Sequence, residues 1–93
     1  MHLIDVTNSY SELVNSQLNT TDTTYVKVYS LGNTAVIYTE GNKSIGIALE
    51  NHDRRIREEE VEFVIKRLVK NTDTTYTLTV DKSRHVVEIH IDK

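Results

Sequence analysis

Hydrophobic and polar residues alternate along this chain with two periods, one typical of strands and one typical of helices. A short apolar stretch at residues 3–6 predicts a first strand. Ser9 and Glu12 have the spacing of a capping box, in which both side chains bind free backbone amides of the first helical turn. The apolar residues beside them recur at helical spacing, at Tyr10, Leu13, Val14 and Leu18. They predict a first helix that ends near Leu18.

The next segment predicts three strands joined by tight turns. Residues 23–31 and 34–40 are rich in β-branched and aromatic side chains, and residues 44–49 form a further strand. Gly32-Asn33 and Gly41-Asn42 separate these strands, and both residue types tolerate the positive φ that two-residue hairpin turns require. Three consecutive strands with such turns predict an antiparallel meander.

A second helix and a second hairpin follow. Asn51 or Asp53 is expected to begin this helix, whose acidic residues precede its basic residues as the helix dipole favours. Its predicted buried stripe comprises Val61, Val64, Ile65 and Leu68, with Ile56 and Phe63 at the flanks. Apolar residues at 76, 78 and 80 then alternate with threonines, which predicts a strand with one buried face. Residues 87–91 alternate in the same way and predict the last strand.

These elements predict a single α+β domain over residues 1–93, in the order β-α-β-β-β-α-β-β. We expect two layers, with both helices on one face of a mostly antiparallel sheet of about six strands. Two Thr/Asp-rich segments, residues 19–25 and 71–76, each follow a helix and open a hairpin. They indicate a duplicated β-α-β-β unit, with pseudo-repeats at 1–40 and 44–92. Chance similarity between two helix exits is the alternative explanation.

The amino-acid composition indicates the cellular compartment of the protein more than its function. Hydrophobic residues make up 38% of the chain and charged residues 27%, which are values of a folded globular domain. The absence of cysteine excludes disulfides, thiolate catalysis and cysteine-based zinc sites, and favours a reducing compartment. No apolar run approaches the ~20 residues of a membrane span, and the N-terminus lacks the features of a signal peptide. We therefore expect a cytoplasmic protein that has no membrane partner.

No motif in the sequence predicts catalysis. The histidines lack zinc-helix spacing, and His85 and His90 lie five residues apart, so they point to opposite faces of a strand. The glutamates at 58–60 and 62 follow one helix, which is typical of a solvated face rather than of paired acid–base groups. We expect a protein that is not an enzyme and that binds no metal and no cofactor.

The segment 25–38 carries apolar side chains on both sides of its predicted hairpin. If Val26, Val28, Ala35 and Ile37 face the helices, the opposite face presents Tyr25, Tyr29, Leu31, Val36 and Tyr38. An exposed apolar face of this kind usually marks a contact surface. It predicts a protein partner, in particular a second copy in a homodimer, bound through this face or through an edge strand. In the opposite register these five residues join the core.

The alternative function is binding of nucleic acid or of another anionic ligand through the second helix. Its candidate residues are Arg54, Arg55 and Arg57 near the helix start and Lys66, Arg67 and Lys70 near its end. Cations at a helix start interact unfavourably with the helix dipole. Binding of a phosphate or of an acidic partner would explain why they are kept there. Pairing of Arg54 and Arg55 with Glu58 and Glu59 is the structural explanation. The net charge of −3 argues mildly against a nucleic-acid binder.

Three segments carry a likeness to known proteins: residues 3–10 (LIDVTNSY), 26–34 (VKVYSLGNT) and 54–57 (RRIR). Together they resemble a family of short uncharacterised proteins from low-GC Gram-positive bacteria. The resemblance implies a bacterial cytosolic setting. That family has no assigned activity, so the resemblance implies no functional residue.

Overall fold

The computed structural model describes residues 1–20, 22–70 and 75–93, which form an open six-stranded sheet and two α-helices. The strands are β1 (Leu3–Asp5), β2 (Thr23–Leu31), β3 (Thr34–Gly41), β4 (Ser44–Glu50), β5 (Thr77–Val80) and β6 (Val86–Asp92). The helices are α1 (Ser11–Leu18), which follows a 3-10 turn at Thr7–Tyr10, and α2 (Glu58–Leu68). The predicted α+β class and order of elements are confirmed.

The strands lie in the order β1-β2-β3-β4-β6-β5, and every neighbouring pair is antiparallel. Leu31 pairs with Thr34 across the first predicted turn, where Gly32 has φ +58°. A positive φ at the first central position is the reason that this turn needs glycine. The next turn is Asn42-Lys43 rather than Gly41-Asn42, since β3 extends through Gly41 and β4 begins at Ser44.

Helix α2 covers one face of the sheet and forms the main core there. Val61 and Val64 pack with Val36, Ile47 and Leu49 of the central strands, and Val87, Ile89 and Ile91 of β6 complete the cluster. Ile56 is buried as well, whereas Ile65, Leu68 and Phe63 are half-buried at the margin. The helix begins at Glu58, later than Asn51 or Asp53. Asn51 Oδ1 instead accepts the backbone amides of Asp53 and Arg54 in the turn before it.

Helix α1 packs on the face opposite α2. Val26 and Val28 of β2 are buried outside the α2 core, at positions that alternate with Tyr29 and Leu31. Leu13 and Gln17 of α1 border the same side of the sheet as Ile37 and Ala48. The sequence pattern predicts both helices on one face. The helices lie on opposite faces because the β2–β3 hairpin is apolar on both sides, and each side requires a cover.

The two halves of the chain share their order of elements but differ in strand pairing. In the first half β1, β2 and β3 are neighbours in chain order, whereas in the second half β6 lies between β4 and β5. The connection from β4 through α2 to β5 therefore passes the position of β6. Thr21 and residues 71–74 of the two Thr/Asp-rich segments lie outside the described residues.

Candidate functional site

The five residues proposed as a partner surface do not form one surface. Leu31, Val36 and Tyr38 are buried in the α2 core, Tyr29 is half-buried, and only Tyr25 is well exposed, at 46%. The register that places them in the core is the one the structure adopts, because α2 packs over alternate positions of β2 and β3. A continuous tyrosine-rich outer face is therefore excluded for the single chain.

The three tyrosines instead line one wall of a cleft at the C-terminal end of α2. This tyrosine cleft has a volume of about 460 Å³ and is lined by Tyr25, Tyr29, Tyr38, Glu40, Arg67, Leu68 and Lys70. Strands β2 and β3 supply the aromatic rings, and the end of α2 supplies the cations. The structure thus brings together residues from both predicted sets, the tyrosines and two of the six basic residues.

Hydrogen bonds fix the polar groups of the tyrosine cleft. The Tyr38 hydroxyl donates to Glu40 Oε1 at 2.7 Å, and Lys93 Nζ donates to Glu40 Oε2 at 2.7 Å. The hydrogen bond from Lys93, followed by that from Tyr38, lowers the pKa of Glu40. Burial raises the pKa of Tyr38 and of Tyr29 above the usual value. Both phenols therefore remain protonated at neutral pH and can donate hydrogen bonds.

The six basic residues of the anion-binding hypothesis lie in two separate groups. Helix α2 has 11 residues, so its ends are about 16 Å apart. At its start, Arg54 is bound to Glu60, while Arg55 and Arg57 are exposed. At its end, Arg67 and Lys70 border the tyrosine cleft, and Lys66 is exposed outside it. One site that uses all six residues is excluded by this separation.

The start of α2 contains a buried ionic network that is not among the predicted sites. Glu60 is only 4% exposed, although its helical run of glutamates predicted a solvated face. Its carboxylate accepts from Arg54 Nη1 (2.7 Å) and Nη2 (2.9 Å), from Thr34 Oγ1 (2.9 Å) and from the Arg57 backbone amide (3.0 Å). The Arg54 hydrogen bonds, aided by the Arg57 amide and Thr34, lower its pKa to about 2. The signal in the sequence is a glutamate at the third position of the helix, from which its carboxylate can reach the backbone amide of the residue before the helix.

Every buried acceptor of this network has a partner, so it stabilises the fold and offers no free group for chemistry. Asn51 Nδ2 donates to Thr34 Oγ1 at 3.1 Å, and the Asn51 carbonyl lies 2.7 Å from His85 Nδ1. Among the described residues, no buried side-chain nitrogen or oxygen lacks a hydrogen bond. The same residues contain no group of three His, Asp or Glu side chains that could hold a metal ion.

The outer strand β5 is a third feature of interest. Leu78 and Val80 pair with Ile89 and Val87 of β6, which places them on the α2 side of the sheet. They are nevertheless 45% and 38% exposed, and Tyr76 just before the strand is 45% exposed. The sequence predicted a buried face here. The face is uncovered because β5 is the outermost strand, beyond β6 and beyond the reach of α2.

Fold and sites together define a small α+β domain with an open antiparallel sheet. Within residues 1–20, 22–70 and 75–93, neither helix has the length and hydrophobicity that a membrane span requires. Residues 1–92 match the family described as Domain of unknown function (DUF1827). The chain belongs to this family.

A solved structure has a similar fold. The chain is similar to a conserved protein of unknown function from Streptococcus thermophilus LMG 18311, with 28% sequence identity and a TM-score of 0.87. The similarity covers 100% of this chain and 97% of that chain. The predicted resemblance to a family of low-GC Gram-positive bacteria is thereby confirmed. No curated protein matches the chain.

Proposed function

We propose that this protein is a bacterial cytoplasmic interaction module that forms a homodimer through strand β5. One observation carries the proposal: β5 is an outermost strand whose apolar side chains are exposed on one face. The alternation of Leu78 and Val80 with Thr77 and Thr79 is that of a strand with a covered face. A partner that extends the sheet would supply the missing cover and would satisfy the outward-facing backbone groups.

The two edges of the sheet differ in how they are protected against such pairing. Strand β1, at one edge, has three residues and carries Asp5, whose carboxylate is paired with Lys27. Strand β5, at the other edge, has no charged residue between positions 75 and 80. Native proteins usually blunt an edge strand by shortening it or by adding charge, proline or a bulge. Of these features β5 has only a short length. Within the described residues it carries no charge, no proline and no bulge.

A second copy of the chain fits this edge because the strand is self-complementary. In an antiparallel pair centred on Leu78, each Leu78 lies opposite the Leu78 of the second copy, and Thr77 lies opposite Thr79. The apolar residues of both copies then share one face of a continuous sheet. The two Asp81 carboxylates lie about 20 Å apart in this arrangement, so they add no close repulsion. A contact of one strand is small, so we expect reversible association.

The test compares two lysine substitutions at the two edges by sedimentation velocity over a range of concentrations. We expect the wild-type chain to dimerise as its concentration rises. Leu78→Lys should remain monomeric, because it places like charges opposite each other at the centre of the contact. Ile4→Lys is the matched control, since Ile4 is an exposed apolar residue on β1, with 58% exposure against 45% for Leu78. It should associate like the wild type.

A crosslinking experiment then locates the contact. The chain has no cysteine, so a single Leu78→Cys substitution reports on one position alone. We expect it to form a disulfide-linked dimer under mild oxidation, whereas Glu62→Cys on the exposed side of α2 should not. A wild-type chain that is monomeric at all concentrations, or an Ile4→Lys variant that alone loses association, would overturn the proposal.

A further inference from the structure

The geometry of the tyrosine cleft points to a binding site for a nucleoside phosphate, with the base against the tyrosines and the phosphate at Arg67 and Lys70. This inference is independent of the proposed dimer, since the cleft lies over β2 and β3 and the dimer contact at β5. Its volume of about 460 Å³ lies within the range of roughly 300–1,000 Å³ that small-ligand sites occupy.

The aromatic wall offers a ring that the protein itself leaves partly uncovered. Tyr25 and Tyr38 have ring centroids 6.0 Å apart and planes at 81° to each other. Because the rings meet edge to face, they do not stack flat on one another. Tyr25 is 46% exposed, so its ring is accessible to a planar ligand. Nucleic-acid bases stack on aromatic side chains of this kind with little dependence on base identity.

The cationic wall has charge that the described residues do not neutralise. Among residues 1–20, 22–70 and 75–93, no carboxylate lies within ion-pair distance of Arg67 or Lys70. The Arg67 guanidinium lies over the Phe63 ring, 5.6 Å from its centroid, which orients it by a cation–π contact. Arginine and lysine bind phosphate oxygens by charge-assisted hydrogen bonds.

The carboxylate in the tyrosine cleft cancels only part of this charge, because Glu40 is hydrogen-bonded to Lys93 and to the Tyr38 hydroxyl, interacts with Lys70 at longer range, and faces two cations in the lining. The lining therefore keeps a cationic surplus in a chain whose net charge is −3. The Tyr29 hydroxyl stays protonated, so it can donate to a ring or sugar oxygen or nitrogen, whereas the Tyr38 hydroxyl already donates to Glu40.

The distribution of charge favours a small ligand over a nucleic-acid strand. A strand binder usually has a positive groove that follows several phosphates. Here the remaining arginines lie at the other end of α2, and Arg54 is bound to Glu60. The tyrosine cleft thus has room and charge for one nucleotide, and no continuous cationic path leads away from it along the helix.

Tyrosine fluorescence provides a direct readout, because the chain has five tyrosines and no tryptophan. We would titrate the wild-type chain with the 5′-monophosphates of adenosine, guanosine, cytidine and uridine, and check each affinity by calorimetry. Adenosine without phosphate and inorganic phosphate without a base serve as partial ligands. We expect saturable quenching by the nucleotides and at least about tenfold weaker binding of either part, because each part engages only one wall.

Matched substitutions assign the binding to the tyrosine cleft. Arg67→Gln with Lys70→Gln should weaken nucleotide binding at least about tenfold, because two charged hydrogen-bond donors are removed. Lys66→Gln, on the same helix but outside the cleft, should leave it unchanged. Tyr25→Leu should weaken binding by a similar factor, while Tyr10→Leu, at an equally exposed tyrosine (48%), should not. Leu78→Lys should bind nucleotide as the wild type does, which separates this test from that of the dimer.

Three outcomes would overturn the inference. The first is no saturable binding of any nucleotide up to about 10 mM, a limit that corresponds to less than 3 kcal/mol of binding free energy. The second is equal loss of affinity in Lys66→Gln and in the Arg67/Lys70 double variant. The third is much tighter binding of a single-stranded oligonucleotide than of a mononucleotide, which would assign the cleft to a polymer.

Discussion

At the residue scale, Glu60 is the side chain whose charge the fold controls most strongly. It is buried, yet it accepts hydrogen bonds from both Arg54 nitrogens, from Thr34 and from the Arg57 amide. A buried carboxylate is tolerated only when it is paired and hydrogen-bonded in this way. The network ties the start of α2 to the β2–β3 hairpin, because Thr34 is the first residue of β3.

We expect Glu60→Gln to lower the free energy of unfolding by about 2–3 kcal/mol at pH 7, because it leaves the Arg54 charge without its partner. The pKa of Glu60 falls from 4.5 to about 2 on folding. Its ionic contribution is therefore fully present above pH 4.5 and is lost as the pH falls towards 2. Urea unfolding at several pH values should show the gap between wild type and variant narrowing over that interval.

The control is Glu59→Gln at the exposed neighbouring position, which should change stability by less than about 0.5 kcal/mol. A gap between wild type and Glu60→Gln that stays constant from pH 7 to pH 2.5 would contradict the ionic role. In that case the loss would arise from packing alone.

Gly41 shows how one residue type can serve two purposes. The sequence indicated a hairpin turn, as at Gly32, but Gly41 has no positive φ. A Cβ atom at this position would lie 2.5 Å from the Asp22 carbonyl oxygen. Glycine is required here by the close approach of another backbone segment, which no local pattern reveals.

At the scale of elements, the two helices differ in how firmly the fold holds them. Helix α1 has eight residues, none of them buried, and no side chain caps its start. Helix α2 has eleven residues and buries Glu60, Val61 and Val64, and the Glu60 carboxylate accepts the Arg57 backbone amide at its start. Helices as short as α1 are marginal by themselves, so their stability depends on the contacts that they make.

We expect the backbone amides of α1 to exchange with solvent at least about tenfold faster than those of α2, since fewer buried contacts must break to open it. Hydrogen exchange followed by NMR at pH 7 measures this amide by amide. The buried strands β3 and β4 provide the internal reference for global unfolding. Equal protection of both helices would contradict the expectation and would indicate that α1 opens only when the whole domain unfolds.

At the scale of the whole molecule, one wide sheet is covered unevenly. Helix α2 covers the central strands on one side, α1 covers β2 on the other, and β5 extends beyond both. Coverage ends there because a helix is only about 10 Å across, whereas six strands span about 24 Å. The uncovered strand is the basis of the proposed dimer.

Dimer formation should make the thermal stability depend on concentration. We expect Tm of the wild-type chain to rise by about 5 °C between concentrations well below and well above the dimer Kd, because association stabilises only the folded state. Tm of Leu78→Lys should not depend on concentration. Scanning calorimetry at several concentrations measures both Tm values. If sedimentation shows dimers but the wild-type Tm stays constant, the contact lies in the unfolded or aggregated chain.

The sequence by itself determined the elements of this protein. Six strands, two helices and the glycine turn at Gly32-Asn33 follow from local periodicity and turn chemistry, which depend on near neighbours along the chain. Most of the α2 core, including Val61, Val64 and Ile56, could be predicted for the same reason. The tyrosines and the cations were each identified as unusual, but as two separate surfaces.

Only the tertiary structure decided how these elements meet. It placed β6 between β4 and β5, set the helices on opposite faces, buried Val36 and Tyr38, and brought Tyr25 close to Arg67. It also turned the amphipathic strand β5 into an exposed edge and a surface-type glutamate, Glu60, into a buried ion. The physical reason is that periodicity shows which side of an element is apolar, whereas long-range packing decides what, if anything, covers it.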